Sequence, residues 1–126
     1  MDIIQEIREK IHPGTVIPKP QSKADFKVKG WGNRRGEHAL IYLIPNHNNQ
    51  LKPYQKGVNI SEWEKVYTYI IGGGSLDHVW FRSNLPGCAK EGSCNFTTIG
   101  GIFLLLGLVY YERGKYSSVN NLRYTL

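Results

Sequence analysis

Two segments of the chain place apolar residues three and four positions apart, the spacing that puts them on one face of a helix. The N-terminal segment follows Asp2, a residue type that caps helices, and its apolar positions are Ile3, Ile4, Ile7 and Ile11. The second segment contains Trp63, Val66, Tyr67, Ile70 and Ile71. Ser61 and Glu64 lie at the start of this stripe with capping-box spacing. The pattern therefore predicts one short amphipathic helix at the N-terminus and a longer one from residue 61 to 71.

Between these helices the pattern changes to the two-residue period of a strand. Phe26 and Val28 alternate with Lys27 and Lys29, and the run HALIYLI follows the sequence GNRRG. An alternating segment joined by a glycine-containing turn to a run of strand-forming residues is typical of a β-hairpin. The hairpin would place its lysines on one face and Arg34 and Arg35 at its tip. A further short strand is predicted from Tyr54 to Val58.

Two more helices and a hairpin are predicted in the second half. Ser75 is expected to cap a helix that ends at Leu85, before Pro86 and Gly87. Asn95 is expected to cap a third, FTTIGGIFLLL, whose inward residues are Ile99, Ile102, Phe103 and Leu106. Gly107 suits a left-handed exit from that helix. The segment LVYYERGKYSSV then pairs two β-prone runs across a turn.

These elements predict a single α+β domain over residues 1–126. It comprises an N-terminal helix and a β-hairpin, followed by a three-helix, winged-helix-like unit over residues 60–126 that ends in the C-terminal β-hairpin. No internal repeat and no long linker divides the 126 residues, and this length suits one domain. The longest apolar run is interrupted by glycines and is shorter than the ~20 residues of a membrane-spanning helix, so no membrane association is expected.

Positive charge is concentrated in the first half of the chain. The net charge is +6, and residues 1–58 carry ten basic and five acidic groups. Most of the excess lies in one stretch: Lys19, Lys23, Lys27, Lys29, Arg34 and Arg35. Such clustering attracts polyanions, and Lys27, Lys29, Arg34 and Arg35 are the predicted phosphate contacts. The alternative is a solvated basic face that serves only solubility.

The three helices followed by a hairpin resemble winged-helix DNA-binding proteins in pattern. In such modules a third helix enters the major groove and the hairpin touches a neighbouring groove or the backbone. The resemblance implies that Asn95, Thr97 and Thr98 meet phosphate or base edges at a helix N-terminus. It places Arg113, Lys115 and Tyr116 on the wing. Duplex DNA binding is therefore the first functional hypothesis.

The composition of the third helix supports a second hypothesis. No Lys, Arg, Gln or Asn occurs between Phe96 and Leu106, and Leu104 and Leu105 point away from the predicted inward face. Such a helix is either buried on all sides or meets a partner chain. A protein-interaction adaptor or a homodimer with Leu104 and Leu105 at its interface is the alternative function.

Two segments also resemble a known group of proteins. VKGWGNRRGEHALIYLIPN and CNFTTIGGIFLLLGLVYYERGKY are similar to segments of small uncharacterised proteins encoded on mobile integron gene cassettes. The resemblance implies a bacterial, cytoplasmic origin and an accessory, adaptive role. It implies no catalytic residues. The N-terminal sequence also lacks the continuous apolar stretch of a secretory signal, which favours the cytoplasm.

Catalytic and metal-binding patterns are weak. The candidate acids and bases show no nuclease, hydrolase or metal spacing: Asp25, Glu37, His38, His47, Asp77 and His78. Cys88 and Cys94 are the only cysteines, and a zinc site needs more ligands at closer spacing. We therefore expect two free thiols, no metal, no cofactor and no enzymatic activity.

Overall fold

The protein has the predicted α+β class. Within residues 1–21 and 24–124, which the computed structural model describes, the chain forms five α-helices and two antiparallel sheets. The helices are α1 (Ile3–Lys10), α2 (Ile60–Ile71), α3 (His78–Asn84), α4 (Pro86–Glu91) and α5 (Cys94–Leu105). The strands are β1 (Val16–Ile17), β2 (Phe26–Arg34), β3 (Glu37–Ile44), β4 (Tyr54–Asn59), β5 (Ser75–Leu76), β6 (Val109–Glu112) and β7 (Lys115–Ser118). A 3₁₀ helix follows at Val119–Tyr124.

The first sheet contains β1 to β4 in chain order, with β2 and β3 as the predicted hairpin. Its inner face carries Val28, Tyr42 and Val58, which are buried. Lys27 pairs with Leu43 on the outer face. A bulge between Val28 and Gly30 inserts Lys29 as an extra residue, so the two-residue alternation slips by one position there. Gly30 consequently faces outward with Ile41, and Lys29 shares the outer face with Lys27, where its Nζ reaches Gln55 on β4.

The second sheet has the order β5-β7-β6, and α5 lies between it and the first sheet. Gly100 and Gly101 permit this close packing. A Cβ at Gly100 would lie 2.2 Å from the Tyr116 ring on β7, and one at Gly101 would lie 2.4 Å from the Pro18 carbonyl oxygen beside β1. Both contacts are shorter than van der Waals distance. The helix is therefore buried between the two sheets, with Ile99, Ile102 and Phe103 fully inside.

Several helix boundaries differ from those predicted. Helix α2 is capped by Asn59 and Glu62, because the Asn59 N–H donates to Glu62 Oε1 at 2.8 Å. The Ser61 hydroxyl instead donates to Glu37 Oε2 at 2.8 Å. The predicted capping box at Ser61 and Glu64 was therefore wrong by two residues. The two candidate pairs have the same spacing, and the path of β4 determines which of them caps the helix.

The segment between α2 and α5 is more regular than predicted. Ser75 lies in β5 and pairs with Ser117, while Asp77 caps α3 through the Trp80 N–H. Pro86 is the first residue of α4, where its missing N–H leaves no intrahelical bond unmade. Asn95 lies inside α5 and does not cap it. The exit at Gly107, with φ +72°, agrees with the prediction.

Candidate nucleic-acid interface

The outer face of the first sheet contains an open cleft of about 300 Å³. Its residues are Lys29, Gly30, Trp31, Gly32, Asn33, Arg34, Ile41 and Gln55. The floor of the cleft lies close to the main chain because Gly30 and Gly32 have no side chains. Ala39 and Ile41 on this face are buried although they lie outside the main core cluster. Ile41 lies beside Gly32 and lines the cleft, so it adds an apolar side chain to a floor that is otherwise glycine backbone.

Lys27 and Lys29 are exposed beside this cleft. Lys29 Nζ donates to Gln55 Oε1 on β4 at 3.1 Å. Lys27 borders a second cleft of about 240 Å³, which also contains Asp25 and Leu43. No carboxylate of the described chain segments lies within ion-pair distance of either ammonium group. Both predicted phosphate contacts therefore keep their positive charge open to solvent.

Arg34 and Arg35 do not form the free cationic tip that the sequence predicts. Arg35 Nη2 lies 2.5 Å from Glu62 Oε1, and its Nη1 contacts Glu91. Arg34 Nε lies 3.3 Å from Glu91 Oε1. The ion pairs join the β2–β3 turn to the first turn of α2 and the end of α4. Their charges are largely neutralised, which corrects the prediction that both arginines serve as phosphate contacts.

Gly57 on β4 makes the position of Arg34 sterically feasible. A Cβ at residue 57 would lie 2.6 Å from Arg34 Cγ and 2.8 Å from Ile41 Cδ1. The Arg34 side chain therefore crosses the outer face directly over Gly57 and donates to the Gln55 carbonyl. The Gly57 N–H donates in turn to Glu91 Oε1 at 3.3 Å. This arrangement satisfies an edge-strand N–H that would otherwise point to solvent.

Three residues predicted to bind nucleic acid lie in the interior. Asn95, Thr98 and Tyr116 are at most 1% exposed. The Tyr42 hydroxyl donates to Asn95 Oδ1 at 2.6 Å, and Asn95 Nδ2 donates to the Cys88 carbonyl at 2.9 Å. Burial raises the pKa of the Tyr116 hydroxyl. Their assignment to a nucleic-acid surface was wrong because α5, which holds Asn95 and Thr98, is covered on both sides by sheets, and Tyr116 of β7 packs against it.

A third cleft brings the two halves of the chain together. It has a volume of about 390 Å³ and is lined by Lys19, Pro20, Gln21, Phe26, Thr97 and Tyr111. Lys19 Nζ lies 3.6 Å from the centroid of the Phe26 ring and donates to the Ala24 carbonyl. Burial lowers the pKa of Lys19. Thr97 is the predicted α5 residue that reaches this surface, and its hydroxyl donates to the Cys94 carbonyl at 3.1 Å.

Sequence reasoning did not place Phe26 or Tyr111 among the nucleic-acid contacts, and considered Tyr111 only as a possible anchor of a protein interface. Both occur in alternating strand segments, where aromatic residues are usual core positions. The Phe26 ring is partly buried, and Tyr111 is 37% exposed. The available sequence signal was a lysine close to an aromatic residue, Lys19 and Phe26. These two residues are seven positions apart in sequence and meet because β1 pairs with β2.

The predicted wing residues Arg113 and Lys115 are exposed at the β6–β7 turn. Neither has a carboxylate at ion-pair distance within the part of the chain described. Tyr111 lies two residues before Arg113 on the same hairpin. These two cations therefore lie at the turn of the hairpin whose first strand, β6, lines the third cleft. Lys23 of the predicted basic stretch lies outside the described residues.

Leu104 and Leu105, the leucines of the alternative protein interface, differ in their exposure to solvent. Leu105 is 44% exposed, as predicted. Leu104 is partly buried against the core, which corrects its assignment to an outward-facing surface. Leu105 is therefore the one member of the predicted pair with an exposed side chain.

The candidate catalytic groups have structural contacts. Glu37 accepts from Ser61, the His38 ring stacks on Trp31 with centroids 5.2 Å apart, and Asp77 caps α3. Cys88 and Cys94 are free thiols, and Cys88 is buried. Among the described residues, no group of three or more potential ligands could hold a metal ion. None of the helices they form has the length and apolar character needed to cross a bilayer.

Comparisons of the chain with protein-family models, with curated proteins and with solved structures give no match, so its function is argued from the geometry above.

Proposed function

We propose that the protein binds nucleic acid through phosphate contacts on the outer face of its first sheet. The observation that carries this proposal is a pair of exposed lysines with no ion pair to a described carboxylate: Lys29 lines the open cleft with a backbone floor, and Lys27 lines the neighbouring cleft. The net charge of +6 adds a favourable long-range potential. An extended polyanion fits this surface because it can follow the strand and contact both ammonium groups.

Binding of this kind is expected to be insensitive to base sequence. Phosphate contacts position a nucleic acid and contribute affinity, whereas base-edge contacts provide sequence recognition. The outer face offers ammonium groups and the Gln55 amide at its rim. Each phosphate that a lysine neutralises releases condensed counterions, so the affinity depends steeply on salt.

The ion pairs of Arg34 and Arg35 serve this surface indirectly. Glu62 and Glu91 fix the end of the β2–β3 hairpin against α2 and α4. A rigid sheet loses little conformational entropy when a ligand binds. We therefore assign the two arginines to the framework of the interface and the two lysines to its contacts.

The relation to winged-helix proteins stays a prediction. The element order from α2 to β7 and the β5-β7-β6 sheet are compatible with such a module. Burial of α5 nevertheless removes the helix that these modules place in the major groove. Our proposal therefore relies on the sheet face, with Arg113 and Lys115 as additional exposed cations. Integron cassette origin, a cytoplasmic location and the lack of enzymatic activity also stay predictions.

The test is the salt dependence of binding to a labelled oligonucleotide. The double variant Lys27→Gln/Lys29→Gln should bind duplex DNA more weakly, and its slope of log K against log salt should shrink by about two, since each lost phosphate contact removes roughly 0.9. Fluorescence anisotropy over salt concentrations from about 20 to about 200 mM measures both quantities.

The matched control is Lys65→Gln/Arg82→Gln, which removes the same charge from helices α2 and α3. Its slope should stay close to that of the wild-type protein. Equal losses in both double variants would mean that net charge alone drives binding. No measurable binding by the wild-type protein at low salt would refute the proposal.

A further inference from the structure

We propose that the third cleft holds one unstacked base of a single-stranded nucleic acid, with the Tyr111 ring as its stacking surface. This inference rests on the proposed function and specifies its ligand as single-stranded. It involves Lys19, Phe26, Thr97 and Tyr111, none of which contributes to the outer face of the first sheet.

Tyr111 is held as a rigid platform. It pairs with Tyr116 across the β6–β7 hairpin, and the two ring centroids lie 5.0 Å apart. Tyr116 is fully buried and packs against Gly100, so it blocks inward movement of the Tyr111 ring. Tyr111 is 37% exposed and lines the cleft. An aromatic ring fixed on one side and open on the other suits base stacking at low entropic cost.

The remaining walls supply the polar groups that a nucleotide needs. The Lys19 ammonium group lies against the Phe26 ring and provides a positive charge for the adjoining phosphate. The Thr97 hydroxyl donates to the Cys94 carbonyl, so its oxygen can still accept a hydrogen bond from a base N–H group, such as thymine N3–H. The volume of about 390 Å³ lies in the range of ligand sites and greatly exceeds that of a bound ion.

The position of the cleft joins it to the proposed phosphate contacts. Phe26 and Lys27 are neighbours at the start of β2, and their side chains lie on opposite faces of the sheet. The cleft and the outer face therefore flank the same end of β2. A flexible single strand can bend around this short edge, whereas a duplex is stiff over such distances.

The same geometry disfavours duplex binding in the cleft. Bases in a duplex are stacked on their neighbours and expose only their edges in the grooves. A base reaches the face of Tyr111 only when it is unstacked, and single strands offer such bases at little cost. The proposed ligand is therefore single-stranded DNA or RNA.

The experiment compares binding of a labelled oligothymidylate and of a duplex of equal length by anisotropy. The wild-type protein should prefer the single strand, and Tyr111→Leu should weaken single-strand binding about tenfold without changing duplex binding. Tyr111→Phe, which keeps the ring, should bind more tightly than Tyr111→Leu.

Tyr110→Leu, at the preceding position of β6, is the matched control and should retain wild-type affinity. Thermal unfolding of each variant verifies its fold.

The outcomes separate this inference from the proposed function. If Lys27→Gln/Lys29→Gln weakens binding while Tyr111→Leu does not, the cleft inference is overturned and the phosphate surface stands. If the wild-type protein binds neither oligonucleotide, both are overturned. Photocrosslinking with a bromouracil-containing strand gives an independent readout: an adduct on Tyr111 or Phe26 supports the inference, and adducts exclusively elsewhere overturn it.

Discussion

At the scale of single residues, the framework of the binding surface depends on Arg35. Its guanidinium group contacts Glu62 and Glu91 and donates to the Gly57 carbonyl at 3.3 Å. All three charged side chains are largely shielded, with 12–23% of their surface exposed. Removing the cation would leave two carboxylates close together in a poorly solvated site, which is unfavourable.

We expect Arg35→Ala to lower the free energy of unfolding by about 2 kcal/mol, because charge-assisted hydrogen bonds to partly buried carboxylates are lost. Urea denaturation at pH 7 measures this change. Arg82→Ala, an exposed position on α3, should change stability by less than about 0.5 kcal/mol. Equal effects of the two substitutions would show that the ion pairs contribute no net stability.

The ion pairs of Arg34 and Arg35 could not be predicted from the identities of these residues. Arg34 and Arg35 follow a hairpin pattern that places cations at a solvent-exposed tip. Their carboxylate partners come from α2 and α4, and no local pattern connects these elements to the turn. An ion pair depends on distances of a few ångströms, which only the packing of distant elements determines.

At the scale of elements, the position of α5 between two sheets determines which candidate residues reach the surface. Its composition, rich in apolar residues and glycine, indicated a buried or interfacial helix. The structure selects burial because Gly101 approaches the Pro18 carbonyl on one side and Gly100 approaches Tyr116 on the other. A side chain at either position would force a sheet away from the helix.

Gly101→Ala should therefore destabilise the protein by roughly 1–3 kcal/mol, the usual cost of overpacking a core. The contacting atom is a backbone oxygen, which cannot rotate away as a side chain would. Gly87→Ala is the matched control. It lies in α4 with no foreign atom closer than 3.8 Å, and it should raise stability by about 0.5–1 kcal/mol.

Thermal denaturation of the two alanine variants distinguishes these effects. The melting temperatures should move in opposite directions from that of the wild-type protein. A neutral Gly101→Ala variant would contradict the close approach of β1 to α5.

At the scale of the whole molecule, a buried polar cluster links the first sheet to α4 and α5. The Tyr42 hydroxyl contacts Asn95 and Cys94, and Asn95 contacts the Cys88 carbonyl. Burial raises the pKa values of Tyr42, Cys88 and Tyr116 above their ordinary values. These groups stay protonated in the folded protein at pH values where they ionise in the unfolded chain.

Stability should consequently fall in alkaline solution. The unfolded chain loses these protons near pH 8.5 for the thiol and near pH 10 for the phenols. Above those values it binds fewer protons than the folded protein, so each group lowers stability by about 1.4 kcal/mol per pH unit. Urea midpoints between pH 7 and about 11 measure the slope.

Tyr42→Phe separates this contribution from the general titration of surface lysines. It should be less stable than wild type at pH 7, by about 1 kcal/mol for the lost hydrogen bond. Its stability should decline less steeply above pH 10. Parallel curves for the two proteins would show that Tyr42 ionises equally in both states.

The sequence alone determined the α+β class, the β2–β3 and β6–β7 hairpins, and the existence of α1, α2 and α5. These features depend on periodicity and turn residues, which are local and can be read from neighbouring positions. The same local signals misplaced the start of α2 and missed β5 and α4. Competing caps and short elements have nearly equal local preferences, so tertiary contacts select among them.

The tertiary structure alone decided which candidate residues are available for binding. It neutralised Arg34 and Arg35, buried Asn95, Thr98 and Tyr116, and left Lys27 and Lys29 open to solvent. It also formed the third cleft from segments of both halves of the chain. Charge pairing, burial and cleft formation all depend on distances between residues far apart in sequence. Those distances are set when the two sheets close around α5.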